Sequence, residues 1–347
     1  MAARAPRSAS AQARRAGFCL AIACAGAASC AKSSSIGDLD PLDLAPSEVP
    51  FDKNLIVDTA SFTDSEGVAS VADIQGFLEK TPYGHPSFLA SYVSGGLRAS
   101  QSIALAARRY GLNPLVFLVR AEMDAGLVSA AGYPASPAKV EYVFGCGCPG
   151  GGAACEPAQG GFGKQVDCLG SALRASLQLV CGTSAQTAGG WAVGQDALSL
   201  DGVHVSPASE ATAALYQYAP VVAQGAPGGN WLFFNVWQLY GAQLSYFGSA
   251  TSPWVGDSCC GDGMCAGVAS GTCAVNAPGG LCTATCSAQR PCPTDPEGGG
   301  RRAVCGNLGG EGFCLRGCNP GACRSGYKCV QIAPVGGGAA ALACLPQ

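Results

Sequence analysis

Apolar residues recur at helical spacing through the first two-thirds of the chain and thin out abruptly after residue 254. From Ser70, with Asp73 placed for a capping-box contact, Val71, Ile74, Phe77 and Leu78 mark one face of a first helix. Ile103, Ala106, Ala107 and Tyr110 mark a second, from about Ser100 to Tyr110, closed by Gly111. The next helix starts two residues later: Asn113 is a natural N-cap, Pro114 suits the first turn, and Gly126 supplies the stop. Between them Leu115 to Val119 are apolar in every direction, the mark of a buried helix. Phe162, Val166, Leu169, Leu173, Leu177 and Val180 predict a helix over 162–181, ended by Gly182. Ser206–Pro207 opens a helix through Tyr218, and Asn230–Phe247 gives a last one, rich in aromatics. These segments predict one all-α domain over 58–250.

Residues 30–57 hold Ser33–Ser35, Pro41, Pro46 and Pro50 without sustained periodicity, as a tether would. Over 254–347 Cys, Gly and Pro dominate, which predicts a small, loop-dominated module held by disulfides rather than by a core. Two five-cysteine runs, Cys282 to Cys314 and Cys314 to Cys344, are spaced alike enough to suggest a duplication.

The start of the chain changes the compartment. Arg4, Arg7, Arg14 and Arg15 precede an apolar run from Gly17 to Ser29 that is too short to cross a bilayer and fits a secretory signal over 1–29. The run ends A-A-S-C and resembles a bacterial lipobox, which implies that Cys30 becomes the lipidated first residue; ordinary cleavage nearby is the alternative. Ala31 and Lys32 stand where an aspartate would mark inner-membrane retention, so an outer-membrane anchor in the cell envelope is expected.

Removing residues 1–29 takes away four of the 20 Lys and Arg residues and none of the 23 acids, leaving a net charge of −7. No basic patch suited to nucleic acid, no nucleotide-binding loop and no Ser–His–Asp pattern is present.

Of 21 cysteines, Cys19 and Cys24 leave with the signal and Cys30 carries lipid, so 18 remain for disulfides. Five lie between residues 146 and 181 and 13 after residue 258. Both counts are odd, so complete oxidation within the monomer requires a bridge between the two regions. Cys168 and Cys181 lie roughly 20 Å apart along one helix and need other partners. Cys148 and Cys155, in the loop G-C-G-C-P-G-G-G-A-A-C, are assigned to disulfides rather than to a metal. Only His85 and His204 could supplement them as ligands, in unrelated contexts, so neither a metal site nor another cofactor is expected.

Glu122 and Asp124 end the apolar central helix, where burial penalises a carboxylate. Either they face solvent or pair with Arg120, four residues before Asp124, or they do chemistry. Four stretches carry a resemblance: A-A-R-R-Y-G-L-N-P with the terminal D-A-G-L-V, the C-G-C-P loop, G-F-G-K-Q-V-D at 161–167, and the pair A-T-A-A-L-Y-Q-Y-A-P and G-N-W-L-F-F-N-V-W. Over about 175 residues, the chain resembles lysozyme-like bacterial glycan hydrolases of the glucosaminidase and transglycosylase type, often called haemagglutinins.

The resemblance implies a lysozyme-like helical domain acting on peptidoglycan-type β-1,4 glycan. Its proton donor would be Asp124, standing where the family has Glu; Glu122 lies about 200° around the helix. Asp167 is the one candidate for a second carboxylate. Gln165, Trp191, Tyr216, Tyr218 and Asn230 become candidate glycan-binding residues, although aromatics in such helices also serve as core. Three roles stay open: a hydrolase, a silent glycan-binding or adhesion lipoprotein, and a helical platform for the tail.

Overall fold

The computed structural model describes residues 48–64, 70–149, 154–182, 184–226, 228–245, 253–295, 302–318, 323–324 and 326–347. The signal segment, Cys30 and the tether up to residue 47 lie outside the described residues, as do Tyr246 and Phe247.

Eight α-helices occur among the described residues: α1 (Thr59–Thr63), α2 (Val71–Glu79), α3 (Ala99–Tyr110), α4 (Pro114–Ala125), α5 (Ala138–Glu141), α6 (Phe162–Cys181), α7 (Glu210–Tyr218) and α8 (Gly229–Gln243). The central helix is α4. Asn113 Oδ1 accepts from the Leu115 N–H (2.9 Å), its Nδ2 donates to Ser61 O (3.0 Å), and Gly126 closes the helix at φ +64°. Every residue of α4 from Pro114 to Met123 is buried. It packs against α8, α3 and α6, while α6 also lies along α3 and α7. No helix among the described residues is long and apolar enough to cross a membrane.

Three expectations shift. Val71 is exposed; Ile74, Phe77 and Leu78 alone form the buried face of α2. Helix α7 begins at Glu210, four residues after Ser206, because the Ser206 and Ala208 N–H groups are already donated to Asn54 and Ser209 supplies the cap, accepting from the Thr212 N–H (3.1 Å). The tether also ends earlier than expected, since residues 51–57 already pack against the helical domain. Ile56 and Val57 are buried, Phe51 meets Phe234 edge-on (centroids 5.6 Å apart), and the Tyr216 hydroxyl donates to Lys53 O (2.9 Å).

Two short hairpins lie within the helical domain: β1 (Val93–Ser94) with β2 (Leu97–Arg98), and β3 (Ala197–Leu198) with β4 (His204–Val205). The tail is built from three more. They pair β5 (Thr272–Cys273) with β6 (Cys282–Thr283), β7 (Ala303–Leu308) with β8 (Glu311–Arg316), and β9 (Tyr327–Ile332) with β10 (Ala341–Pro346), all antiparallel. Among the described residues, helix accounts for 35% and strand for 14%. The chain is therefore mixed overall, with a helical domain and a disulfide-rich region of hairpins.

The hairpins reveal a threefold repeat. In each, two cysteines stand directly opposite across the strands: Cys273 and Cys282, Cys305 and Cys314, Cys329 and Cys344. They bond not to each other but to two cysteines upstream. The bridges are Cys259–Cys273 and Cys265–Cys282, Cys286–Cys305 and Cys292–Cys314, Cys318–Cys329 and Cys323–Cys344. Each unit thus joins its first cysteine to its third and its second to its fourth. The repeat has three four-cysteine units, not two five-cysteine runs. The second and third units are stitched by backbone bonds, Val335 N–H to Cys305 O (2.9 Å) and Asn307 N–H to Ala333 O (3.3 Å).

The remaining bridges are Cys146–Cys168, Cys148–Cys155 and Cys181–Cys260. The last one ties α6 to the tail, as the two odd counts require, and Cys168 and Cys181 take separate partners.

Candidate functional site

The two acids of α4 differ in what surrounds them. Glu122 is fully buried. Its Oε2 accepts from the Ser129 N–H (2.8 Å), while Oε1 makes no hydrogen bond within normal distance. Burial pushes its carboxyl above the ordinary range. Tyr83 and Tyr240 lie close, their hydroxyls 3.0 Å apart, and burial together with a charge on Glu122 pushes both hydroxyls up.

Asp124 is half-buried and held from two sides. Arg120 Nη2 lies 2.5 Å from Oδ1, and the Tyr218 hydroxyl donates to Oδ2 at 3.4 Å. The Arg120 guanidinium sits 4.3 Å from the centre of the Tyr218 ring, within cation–π range. Burial raises the Asp124 pKa, and the Arg120 charge opposes that rise. Arg120 is itself buried and its Nε finds no acceptor, so Asp124 is the counter-charge it depends on.

The expected glycan-binding residues are brought together only in part. Tyr218 reaches Asp124 and also donates to Phe144 O (3.3 Å). Gln165 is fully buried and serves the cysteine loop. Its Oε1 accepts from the N–H groups of Phe144 (3.2 Å) and Cys146 (3.1 Å), and its Nε2 donates to Cys146 O and Gln159 O. Trp191 and Tyr216 are buried and stacked on each other, centroids 4.8 Å apart. Asn230 is buried, with Nδ2 donating to Ala219 O (2.8 Å). These four use their polar atoms or faces within the core.

An open groove of about 1360 Å³ lies on the far side of residues 144–146. Phe144 O receives Tyr218 behind that wall, whereas Gly145 and Cys146 face the groove. Helices α3 and α6 form its long walls, and the loop cross-linked by Cys146–Cys168 and Cys148–Cys155 forms its end. Neither Glu122 nor Asp124 reaches it. Asp167 does, in an exposed ion pair with Arg109 (2.6 Å), beside Glu141 and Lys164. Glu141 and Ser94, which line the groove, both act on the hydroxyl of Tyr92, whose ring lies 5.9 Å from that of the exposed Tyr133; neither tyrosine lines the groove itself.

Periodicity gave no access to Tyr92, Tyr133, Arg109 or Glu141. The one available signal was the Gly95–Gly96 turn between short apolar segments, which marks a hairpin presenting its flanks.

Cysteine sulfurs cluster at Cys259, Cys265 and Cys282, at Cys286, Cys292 and Cys305, and at Cys318, Cys323 and Cys329. Every one is committed to a disulfide, so none offers a thiolate to a metal. No family model, curated protein or solved structure matches the chain.

Proposed function

We propose that this protein is a cell-envelope lipoprotein whose helical domain binds peptidoglycan-type glycan without cleaving it, on the scaffold of a lysozyme-like hydrolase. The observation that carries the reading is the pairing of Asp124 with Arg120. A general acid must hold a proton at working pH and reach the glycosidic oxygen. Protonating Asp124 would leave Arg120 as an uncompensated buried cation. Burial raises the Glu122 pKa, but the same burial seals it from solvent. The residue nearer the surface is thus tied to a buried cation, and the fully buried residue has no path to substrate.

Binding falls to the groove. Its volume of about 1360 Å³ exceeds the ~300–1,000 Å³ usual for a small-molecule pocket and suits an extended chain. Arg109 and Lys164, in its lining, offer cations for the carboxylates that peptidoglycan carries; Tyr92 and Tyr133, adjoining Ser94 and Glu141 of the lining, offer ring faces for sugars. Export and anchoring rest on residues 1–30. They are supported by the pairing of all 18 cysteines between 146 and 344, which suits an oxidising compartment.

The test incubates the oxidised protein with purified sacculi and measures both the bound fraction and soluble sugar release. The reading expects binding without release, weakened roughly 3–10-fold by Tyr133→Ala, the worth of an aromatic contact of ~0.5–1.5 kcal/mol. Sustained release that disappears in Asp124→Ala would instead make the protein a hydrolase.

A further inference from the structure

Two arginines meet between α6 and the tail without a carboxylate between them. Arg174, on α6, is more than nine-tenths buried. Its Nε donates to Tyr110 O, and its Nη2 to Gly111 O and to Ser258 Oγ (3.1 Å). Nη1 has no acceptor among the described residues. Arg324, ahead of β9, is held by Gly256 O (3.2 Å), Pro278 O (2.7 Å), Gly280 O and the Tyr327 hydroxyl (2.8 Å).

Both guanidinium groups converge on Gly279. A Cβ built there would lie 2.9 Å from Arg324 Nη1 and 3.1 Å from Arg174 Nη1, so these two nitrogens are within about 6 Å of each other. Asp257, the acid that acts on Arg324, is itself paired with Arg316 (2.9 Å). Burial, and secondly the charge on Arg324, push Arg174 down to about 9. Two like charges withdrawn from water at this range repel strongly unless an anion joins them. Next to them opens a cavity of about 180 Å³, lined by Arg174, Gln178, Gly182, Val275, Pro278 and Gly279, among others.

We propose that this cavity binds a small oxyanion, of the phosphate or sulfate class, with Arg174 Nη1 as its principal donor, and that the bound ion fastens the tail to the helical domain. Guanidinium is suited to such ions because its N–H groups fan out in a plane that matches two oxygens. Gly279 leaves Arg174 Nη1 open to the cavity, where a side chain would crowd it and Arg324 Nη1 behind it. The site stands apart from the groove and does not depend on its reading as a glycan site.

The experiment records thermal unfolding of the intact oxidised protein in increasing inorganic phosphate, against sodium chloride at matched ionic strength. An ion that binds only the native state raises Tm with concentration. The proposal expects a rise of about 2–4 °C in phosphate beyond that in chloride. Gln178→Glu places a carboxylate one helical turn from Arg174 and should abolish the phosphate response while keeping Tm in chloride at or above that of the wild type. Val275→Glu brings a carboxylate from the other wall and takes its place should Gln178→Glu not fold. Equal responses to phosphate and chloride in the wild type, or a full phosphate response in the glutamate variant, would overturn the proposal.

Discussion

Arg120 holds Asp124 at 2.5 Å from one turn earlier on the same helix, with the Tyr218 ring covering the guanidinium. Removing only the acid's charge strands that buried cation. Asp124→Asn is therefore expected to cost about 3–5 kcal/mol in urea unfolding. Replacing both partners, as Arg120→Met with Asp124→Leu, should recover most of the loss. A single variant as stable as the wild type would show that the pair is not the buried counter-charge described above.

The Glu122 pKa is raised in the folded state, so the native protein holds the proton over a range in which the unfolded chain has released it. The contribution of this group is accordingly most favourable below the unfolded value of about 4.3 and diminishes as pH rises through the folded pKa. Glu122→Gln carries no such charge and keeps an oxygen for the Ser129 N–H. Measured from pH 4 to pH 8, its stability relative to the wild type should climb with pH. A difference that stays flat across this range would contradict the raised pKa.

Gln165 satisfies two N–H groups and two carbonyls of the loop segment 144–159. Gln165→Ala leaves the Phe144 and Cys146 N–H groups buried without this acceptor, at about 1–3 kcal/mol each. Hydrogen exchange at those two amides should accelerate before any change appears in α4. Glycan binding should fall with it, because the same segment forms the end of the groove.

Cys181–Cys260 spans 79 residues and is the one disulfide joining the two regions. The double variant Cys181→Ser with Cys260→Ser is expected to lose about 2–4 kcal/mol of coupling. Calorimetry should then resolve two transitions where the wild type gives one. A single unshifted transition would mean that the Arg174 and Arg324 contacts alone unite the regions.

The helical boundaries around α3, α4 and α6 could be read from the sequence because caps and periodicity coincide there: Asn113 and Gly126 bracket α4, and Gly111 closes α3. The parity of the cysteines likewise required the bridge that Cys181 makes. Other features depend on contacts that spacing does not encode. Trp191 and Tyr216 carry the same side chains whether they meet a sugar or, as here, each other. Asn54 sits in a segment without periodicity, yet its side chain and backbone bind residues more than 150 positions away. The groove escaped for a related reason. Arg109 and Asp167 are 58 residues apart and become neighbours only once α3 lies along α6.

In the tail every bridge closes inside its own four-cysteine unit. A whole unit can therefore be gained or lost without leaving an orphan thiol, so the length of this region is free to change in discrete steps. The second and third units, over 286–314 and 318–344, are interchangeable parts in this sense. The first is not. Cys260 sits beside Cys259 and holds Cys181, so losing that unit would leave Cys181, at the end of α6, as an orphan thiol.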